Sequence, residues 1–307
     1  MADQNQVQQW HVTEPYLDLH CQLGEGPYFE KGTQTLRFVD IKQKRLHTVL
    51  VTEGPDSLKT LQLDSPIGVT ANIQGQDPQE KILVALKYGI ALLDRKTGQY
   101  DYLTRIGGEP DRMRSNDGAV DPHGRFWLGT MNDFHVGEPQ SEGSLYRFDL
   151  GKSREEVESG LIIPNSIGWS PDGKTMYFTH TPENTIFAWD YNPEDGSLSN
   201  KRVHYKHKEK GHLDGFRVDK DGNIWHALYD GGSVIKISPA GEILGRIILP
   251  TNNITCVEFV GTELFITSAA DEDSEEGTPS RKYGGGLFRV DVGTTGLDHT
   301  EFNLEQS

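Results

Sequence analysis

The stretch His212-Leu-Asp-Gly-Phe-Arg-Val-Asp-Lys-Asp-Gly-Asn-Ile-Trp225 reads as strand, turn, strand. A short apolar strand ends near Val218, Asp221-Gly222 makes a tight turn, and a second strand opens on Trp225. An acid, Asp214, stands at the start. The pattern occurs twice more upstream. Asn116 leads into Ala119-Val120-Asp121, then Pro122-His123-Gly124, then Phe126-Trp127. Asn165 leads into Ile167-Gly168-Trp169, then Pro171-Asp172-Gly173, then Met176-Tyr177. The turn glycines are Gly124, Gly173 and Gly222, two steps of 49 residues, and a polar residue lies eight before each.

A fixed period of about 40–50 residues carrying strand-turn-strand signals predicts a β-propeller. Each repeat is then one antiparallel blade, and its innermost strand starts at one mouth of a central channel. Residues at equivalent points therefore converge, so Asn116, Asn165 and Asp214 are expected to ring that mouth.

Working outward, a first repeat begins at Leu23-Gly24-Glu25-Gly26-Pro27, with Glu25 seven before Gly32, one short of the later register. A second, weaker one runs from Ser65-Pro66-Ile67-Gly68-Val69 to Ile82-Leu83-Val84-Ala85, and a sixth from Asn253-Ile254-Thr255 through Gly261 to Leu264-Phe265-Ile266-Thr267. A second set of turns, at Asp94–Gly98, Asn192–Gly196 and Ser238–Gly241, reads as the hairpin between outer strands. Gly286-Leu287-Phe288-Arg289-Val290 completes a blade near ring closure. The expectation is one all-β domain over residues 1–307: a six-bladed β-propeller with four-stranded antiparallel blades, residues 1–20 forming a polar arm or closing strand.

Composition fits. Glycine supplies 34 of the 307 residues, which suits many tight turns. No apolar run approaches the length of a bilayer span. The 46 acids outweigh 30 bases, giving a net charge of −16, which argues against nucleic acid and anionic membranes as partners. Met1–Tyr16 shows no secretory pattern, and two cysteines, Cys21 and Cys256, are too few for a disulfide framework. These features predict a cytoplasmic protein with free thiols. Oligomeric state, monomer or dimer, is not readable.

Glu25, Asn165 and Asp214 bring only oxygen donors to one mouth. That set suits a hard divalent cation, which would also relieve the repulsion between the acids. The bland alternative is that they cap strand ends. Arg114 and Asn116 lie on the same mouth and suit a small hydroxylated ligand, or form a surface pair. The acidic run Asp271–Glu276 lacks the spacing of a calcium loop and reads as solvated. His207 reads as a surface residue, and His212, two before Asp214, as a group within reach of the mouth. Trp127, Trp169 and Trp225 read as core or channel wall.

The chain also resembles the gluconolactonase/regucalcin family, or senescence marker proteins, with luciferin-regenerating enzymes as relatives. The motifs are Gly24-Glu25-Gly26-Pro27, Phe38-Val39-Asp40-Ile41, Asn116-Asp117-Gly118-Ala119-Val120-Asp121-Pro122, Gly129-Thr130-Met131, Gly143-Ser144-Leu145-Tyr146, Pro164-Asn165-Ser166-Ile167-Gly168-Trp169-Ser170 and Asp214-Gly215. Asp190-Tyr191 and Gly284-Gly285-Gly286-Leu287-Phe288 also fit. The resemblance spans Leu23 to about Val290. It implies a metal-dependent hydrolase opening sugar lactones to aldonic acids. It places one divalent ion, Ca²⁺ ahead of Mg²⁺, Mn²⁺ or Zn²⁺, on Glu25, Asn165 and Asp214. It makes Asp214 the general base and Arg114, Asn116 and Asp133 the substrate contacts. Two departures stand out: Asp133 replaces a Glu, and Asn165-Ser166 replaces Asn-Gly. A non-enzymatic calcium-binding regulator, an interaction scaffold and an esterase or organophosphate hydrolase are the competing readings, since fold does not fix function.

Overall fold

The computed structural model describes residues 7–106, 111–149 and 154–304. Six separate sheets arrange as a six-bladed propeller. The innermost strands are Gly24–Glu30, Ile67–Ala71, Met113–Val120, Pro164–Trp169, His212–Val218 and Ile254–Val260. Each is followed by its neighbours as a simple antiparallel meander. The only α-helix among the described residues is the short Pro279–Tyr283.

Blades 1 to 4 carry the four strands expected. The last two differ, and the N-terminal arm explains how. Gln8–His11 pairs parallel with Ile243–Ile248 and becomes a fifth strand on blade 5. Blade 6 has three strands, and Leu17 bridges antiparallel to Leu287 beside them. A closing strand therefore exists only as a few residues: Leu17 donates to and accepts from Leu287 at 3.0 and 2.9 Å.

The repeat has a local cause. Gly124, Gly173 and Gly222 have φ of 87°, 66° and 85°, a region that glycine enters without a Cβ penalty. The first turn uses Gln34 at φ 55° instead, and Gly32 is not among the positive-φ glycines. Gln34 lies eight after Gly26, the first residue of this strand's bulge, so Glu25 stands one position before the equivalent of Asn116, Asn165 and Asp214. In blades 3 and 5 an aspartate locks the turn. Asp121 Oδ1 accepts from His123 N and Arg125 N, and its Oδ2 accepts from Trp127 Nε1 at 3.0 Å. Asp219 does the same with Asp221 N, Asn223 N and Trp225 Nε1.

Core clusters form between adjacent blades rather than at one centre. Trp225 and Val234 of blade 5 pack with Val257, Leu264 and Phe288 of blade 6, all fully buried. Each blade buries both faces, so propeller stability comes from these apolar interfaces.

The C-terminal segment closes the channel at the turn end. Leu297 N donates to Val218 O, Phe302 N to Asn72 O and Asn303 N to Gly124 O, so it crosses from blade 5 to blades 2 and 3. Above it lies a cavity of about 380 Å³ lined by Trp169, Phe216, Arg217 and His299 among others. The opposite mouth, where the inner strands begin, stays available for a site.

Candidate functional site

Every innermost strand breaks register near that mouth. Two residues face one across the ladder at Gly26-Pro27, Asn116-Asp117, Asn165-Ser166, Asp214-Gly215 and Thr255-Cys256. Blade 2 has a shift at Gly68 alone. A bulge re-aims side chains out of the pleat. Asn116, Asp117, Asn165, Ser166 and Asp214 lie in such bulges, while Glu25 pairs with Val39 just before its own.

Asn165 Nδ2 donates to Asp214 Oδ1 at 2.6 Å and to Thr181 Oγ1 at 3.1 Å, while its Oδ1 accepts from Ser166 N at 3.0 Å. Glu25 Oε2 accepts from Gly26 N at 2.9 Å. Glu25, Asn165 and Asp214 are all buried. The structure thus brings two of the expected oxygen donors into direct contact and sets the third within electrostatic range.

Their charge state is unfavourable as it stands. Burial pushes the Glu25 carboxyl well above its ordinary value, and the fields of Asp214 and Asp117 push it further. Burial also raises Asp214, against the Asn165 hydrogen bond and the Arg114 charge, with Asp117 adding to the rise. Asp117 is raised by burial as well. Buried carboxylates in one another's field need either protons or a cation. No group of three or more His, Cys, Asp or Glu side chains forms a ready metal cluster among the described residues. The candidate set instead mixes two acids with an amide whose Nδ2 faces Asp214 and whose Oδ1 accepts from Ser166 N; carboxylate and amide oxygens are the donor types that fit a hard divalent ion.

Arg114 is buried beside them, and burial lowers its guanidinium to about 10 against the opposing fields of Asp133, Glu25 and Asp214. Its Nη1 donates to Ser115 O and Asn116 Oδ1, and its Nη2 to Met131 Sδ at 3.1 Å. Its Nε has no hydrogen-bond partner among the described residues. Asn116 Nδ2 donates to Pro164 O at 2.9 Å. Phe134 lies 4.4 Å from the guanidinium, as a partly exposed ring over the mouth.

The chain matches the family model described as SMP-30/Gluconolactonase/LRE-like region over residues 23–270. The chain belongs to this family. The pentonolactonase XacC of Haloferax volcanii is 33% identical over 294 residues, covering 91% of this chain and 94% of its own. The 6-deoxy-6-sulfogluconolactonase of Pseudomonas putida is 32% identical over 279 residues, covering 89% and 92%. The solved structure of regucalcin from Agrobacterium tumefaciens, described as a calcium-binding protein, superimposes with a TM-score of 0.86 at 25% identity, covering 98% of this chain and 100% of that one.

Within this SMP-30/gluconolactonase-like frame, Asp133 is buried and already engaged. Its Oδ1 accepts from Phe134 N at 2.9 Å and its Oδ2 meets Lys87 Nζ at 2.6 Å. The Lys87 hydrogen bond and charge, with Phe134 N, hold its carboxyl below the ordinary value despite burial. His212 is exposed at the start of its strand. His207 corrects the sequence reading: it is 3% exposed, its Nδ1 against Tyr205 Oη and its Nε2 against Lys210 O. Its backbone N donates to Asn184 O, which folds it under.

Three residues beyond the expected set join the site. Asp117 Oδ2 accepts from Ser166 Oγ at 2.7 Å, and Ser166 Oγ accepts from Phe216 N at 2.8 Å. Lys87 reaches in from blade 2. The signal for Asp117 was its adjacency to Asn116, since a bulge presents two successive residues. Nothing local marks Lys87. The acidic run folds as a loop: Asp271 accepts from Ser274, Ser280 and Asn252 and anchors it. No helix of the described residues is long and apolar enough to cross a membrane.

Proposed function

We propose that this lactonase opens a sugar lactone to the aldonic acid at the bulged mouth of its channel. One divalent cation, Ca²⁺ in the first instance, would be held by Glu25, Asn165 and Asp214. When bound, it would supply positive charge to polarise the lactone carbonyl and offset the charge that develops there.

The remaining chemistry falls to side chains. Asp214 takes a proton from the attacking water and returns it to the ring oxygen as the carbonyl carbon–ring oxygen bond breaks. Asn165 holds Asp214 in place through its 2.6 Å hydrogen bond. Arg114 offers unspent N–H groups to substrate oxygens, with Asn116 fixing its orientation at 3.0 Å. Phe134 shields the mouth from bulk water.

The observation that carries this reading is the burial of Glu25 and Asp214 in each other's field beside a guanidinium with an unpartnered N–H. Such an arrangement has little worth for stability alone. The experiment is a panel of aldonolactones tested with cation-stripped protein and with Ca²⁺, Mg²⁺, Mn²⁺ or Zn²⁺ restored. Hydrolysis that appears only with a restored ion supports the reading, and hydrolysis undiminished by stripping refutes the role given to the cation.

A further inference from the structure

The rim of the mouth has an imbalance of hydrogen-bonding capacity. Its acceptors are engaged: Asn116 Oδ1 by Arg114, Asp133 Oδ1 by Phe134 N, and Asp133 Oδ2 by Lys87. Its N–H groups without a strong acceptor among the described residues lie on two cations. Arg114 Nε is buried without a partner among the described residues, and Nη2 donates to a thioether, a weak acceptor. Lys87 Nζ carries three protons, of which Asp133 Oδ2 and Asp111 O take two among the described residues.

The charges lean the same way. Arg114 and Lys42 both stack on Phe134, at 4.4 and 5.5 Å from its centroid, and Lys87 stands on the neighbouring Asp133. Three cations gather there in a chain whose net charge is −16, with Asp133 and Asp111 acting on Lys87, and Asp133, Glu25 and Asp214 on Arg114. Asp133 accepts from Phe134 N with one oxygen and from Lys87 with the other. It fixes the ammonium of Lys87, whose side chain remains 16% exposed.

We propose that Lys87 contacts the substrate and determines specificity, and that the preferred sugar lactone carries an anionic oxygen group at the end remote from its carbonyl. The proposal rests on the lactonase reading above and adds the substrate class. Asp133 is then a positioning residue that holds the ammonium. The geometry does not separate a carboxylate, a phosphate and a sulfonate, which share the oxygens and the charge that two donors of this kind recognise.

The test compares kcat/KM for a neutral aldonolactone with that for the same ring bearing a terminal carboxylate, phosphate or sulfonate, in the wild type and in Lys87→Gln. The wild type should favour at least one anionic lactone by about tenfold, the scale of one charge-assisted hydrogen bond. The preference should shrink as salt is raised. In Lys87→Gln it should fall by about the same factor, through KM. No anionic preference in the wild type, or an equal loss on neutral and anionic lactones in the variant, overturns the proposal. Calorimetric binding of the corresponding anionic sugar acids is measured in parallel. Lys87-dependent binding without turnover of any lactone would keep this assignment and refute the lactonase reading. Absence of both would refute this assignment too.

Discussion

Asn165 and Asp214 lie 49 residues apart in the chain and 2.6 Å apart in space, joined by Nδ2 to Oδ1. One full repeat separates them, so the sequence period and the spatial contact are the same fact seen twice. The contact also joins two neighbouring blades at the bulges where their inner strands leave the ladder.

Asp214→Asn keeps the shape and an oxygen but removes the base. It should lower kcat by at least about two orders of magnitude, the usual scale for losing a positioned general base. The loss should be alike for every lactone, because all share the carbonyl. Steady-state kinetics on several lactones with cation saturating checks this, and a variant near wild type would remove Asp214 from the chemistry.

Arg114→Ala should behave differently. In the proposed mechanism the guanidinium faces substrate oxygens rather than the attacking water, so its loss should vary with the hydroxyl pattern of the lactone and enter mainly through KM. A uniform fall in kcat on all substrates would assign it to the reacting centre instead.

The propeller was legible because each turn glycine at positive φ repeats a local necessity, and Asn116, Asn165 and Asp214 ride on that repeat. Blade 2 was faint for a physical reason: its bulge is Gly68, which brings no side chain to the mouth. A Cβ there would sit 2.2 Å from Asn116 O, so glycine is needed to let the blades meet. Lys87 was not legible, because its place depends on how blade 2 leans on blade 3. The arm was half legible: Gln8–His11 is polar but for Trp10, which packs on Trp225, and its parallel pairing with blade 5 has no local signature.

The fold should show acid sensitivity from His226. Burial holds its imidazole down at about 3, with Thr179 Oγ1 at Nε2 and Ala227 O at Nδ1. The unfolded chain takes up that proton near pH ~6.5. The folded pKa is the lower one, so this stabilisation is complete above about pH 6.5 and lost as pH falls toward the folded value. The slope approaches about 1.4 kcal/mol per pH unit for one such group. Denaturant unfolding with cation saturating, between about pH 7 and about pH 5, should show a weaker dependence in His226→Gln than in wild type. Equal slopes would contradict the assignment.

Cys21 and Cys256 are both free and buried. Burial pushes the Cys21 thiol up to about 12 and the Cys256 thiol well up. A thiol that is neither ionised nor accessible reacts slowly. Thiol titration without reductant should therefore find two groups after denaturation and almost none in the native protein. Rapid native labelling, or a missing pair after denaturation, would contradict this.

The most direct test of the account is a titration of the stripped protein with Ca²⁺, following lactone hydrolysis and melting temperature in the same samples. Both should rise together and saturate near one ion per chain, with a stabilisation of about 2.7 kcal/mol when free ion reaches a hundred times its Kd. Glu25→Gln and Asp214→Asn should each weaken both responses. Hydrolysis at full rate without any ion, or a melting response left unchanged by both substitutions, would contradict a cation held by Glu25, Asn165 and Asp214.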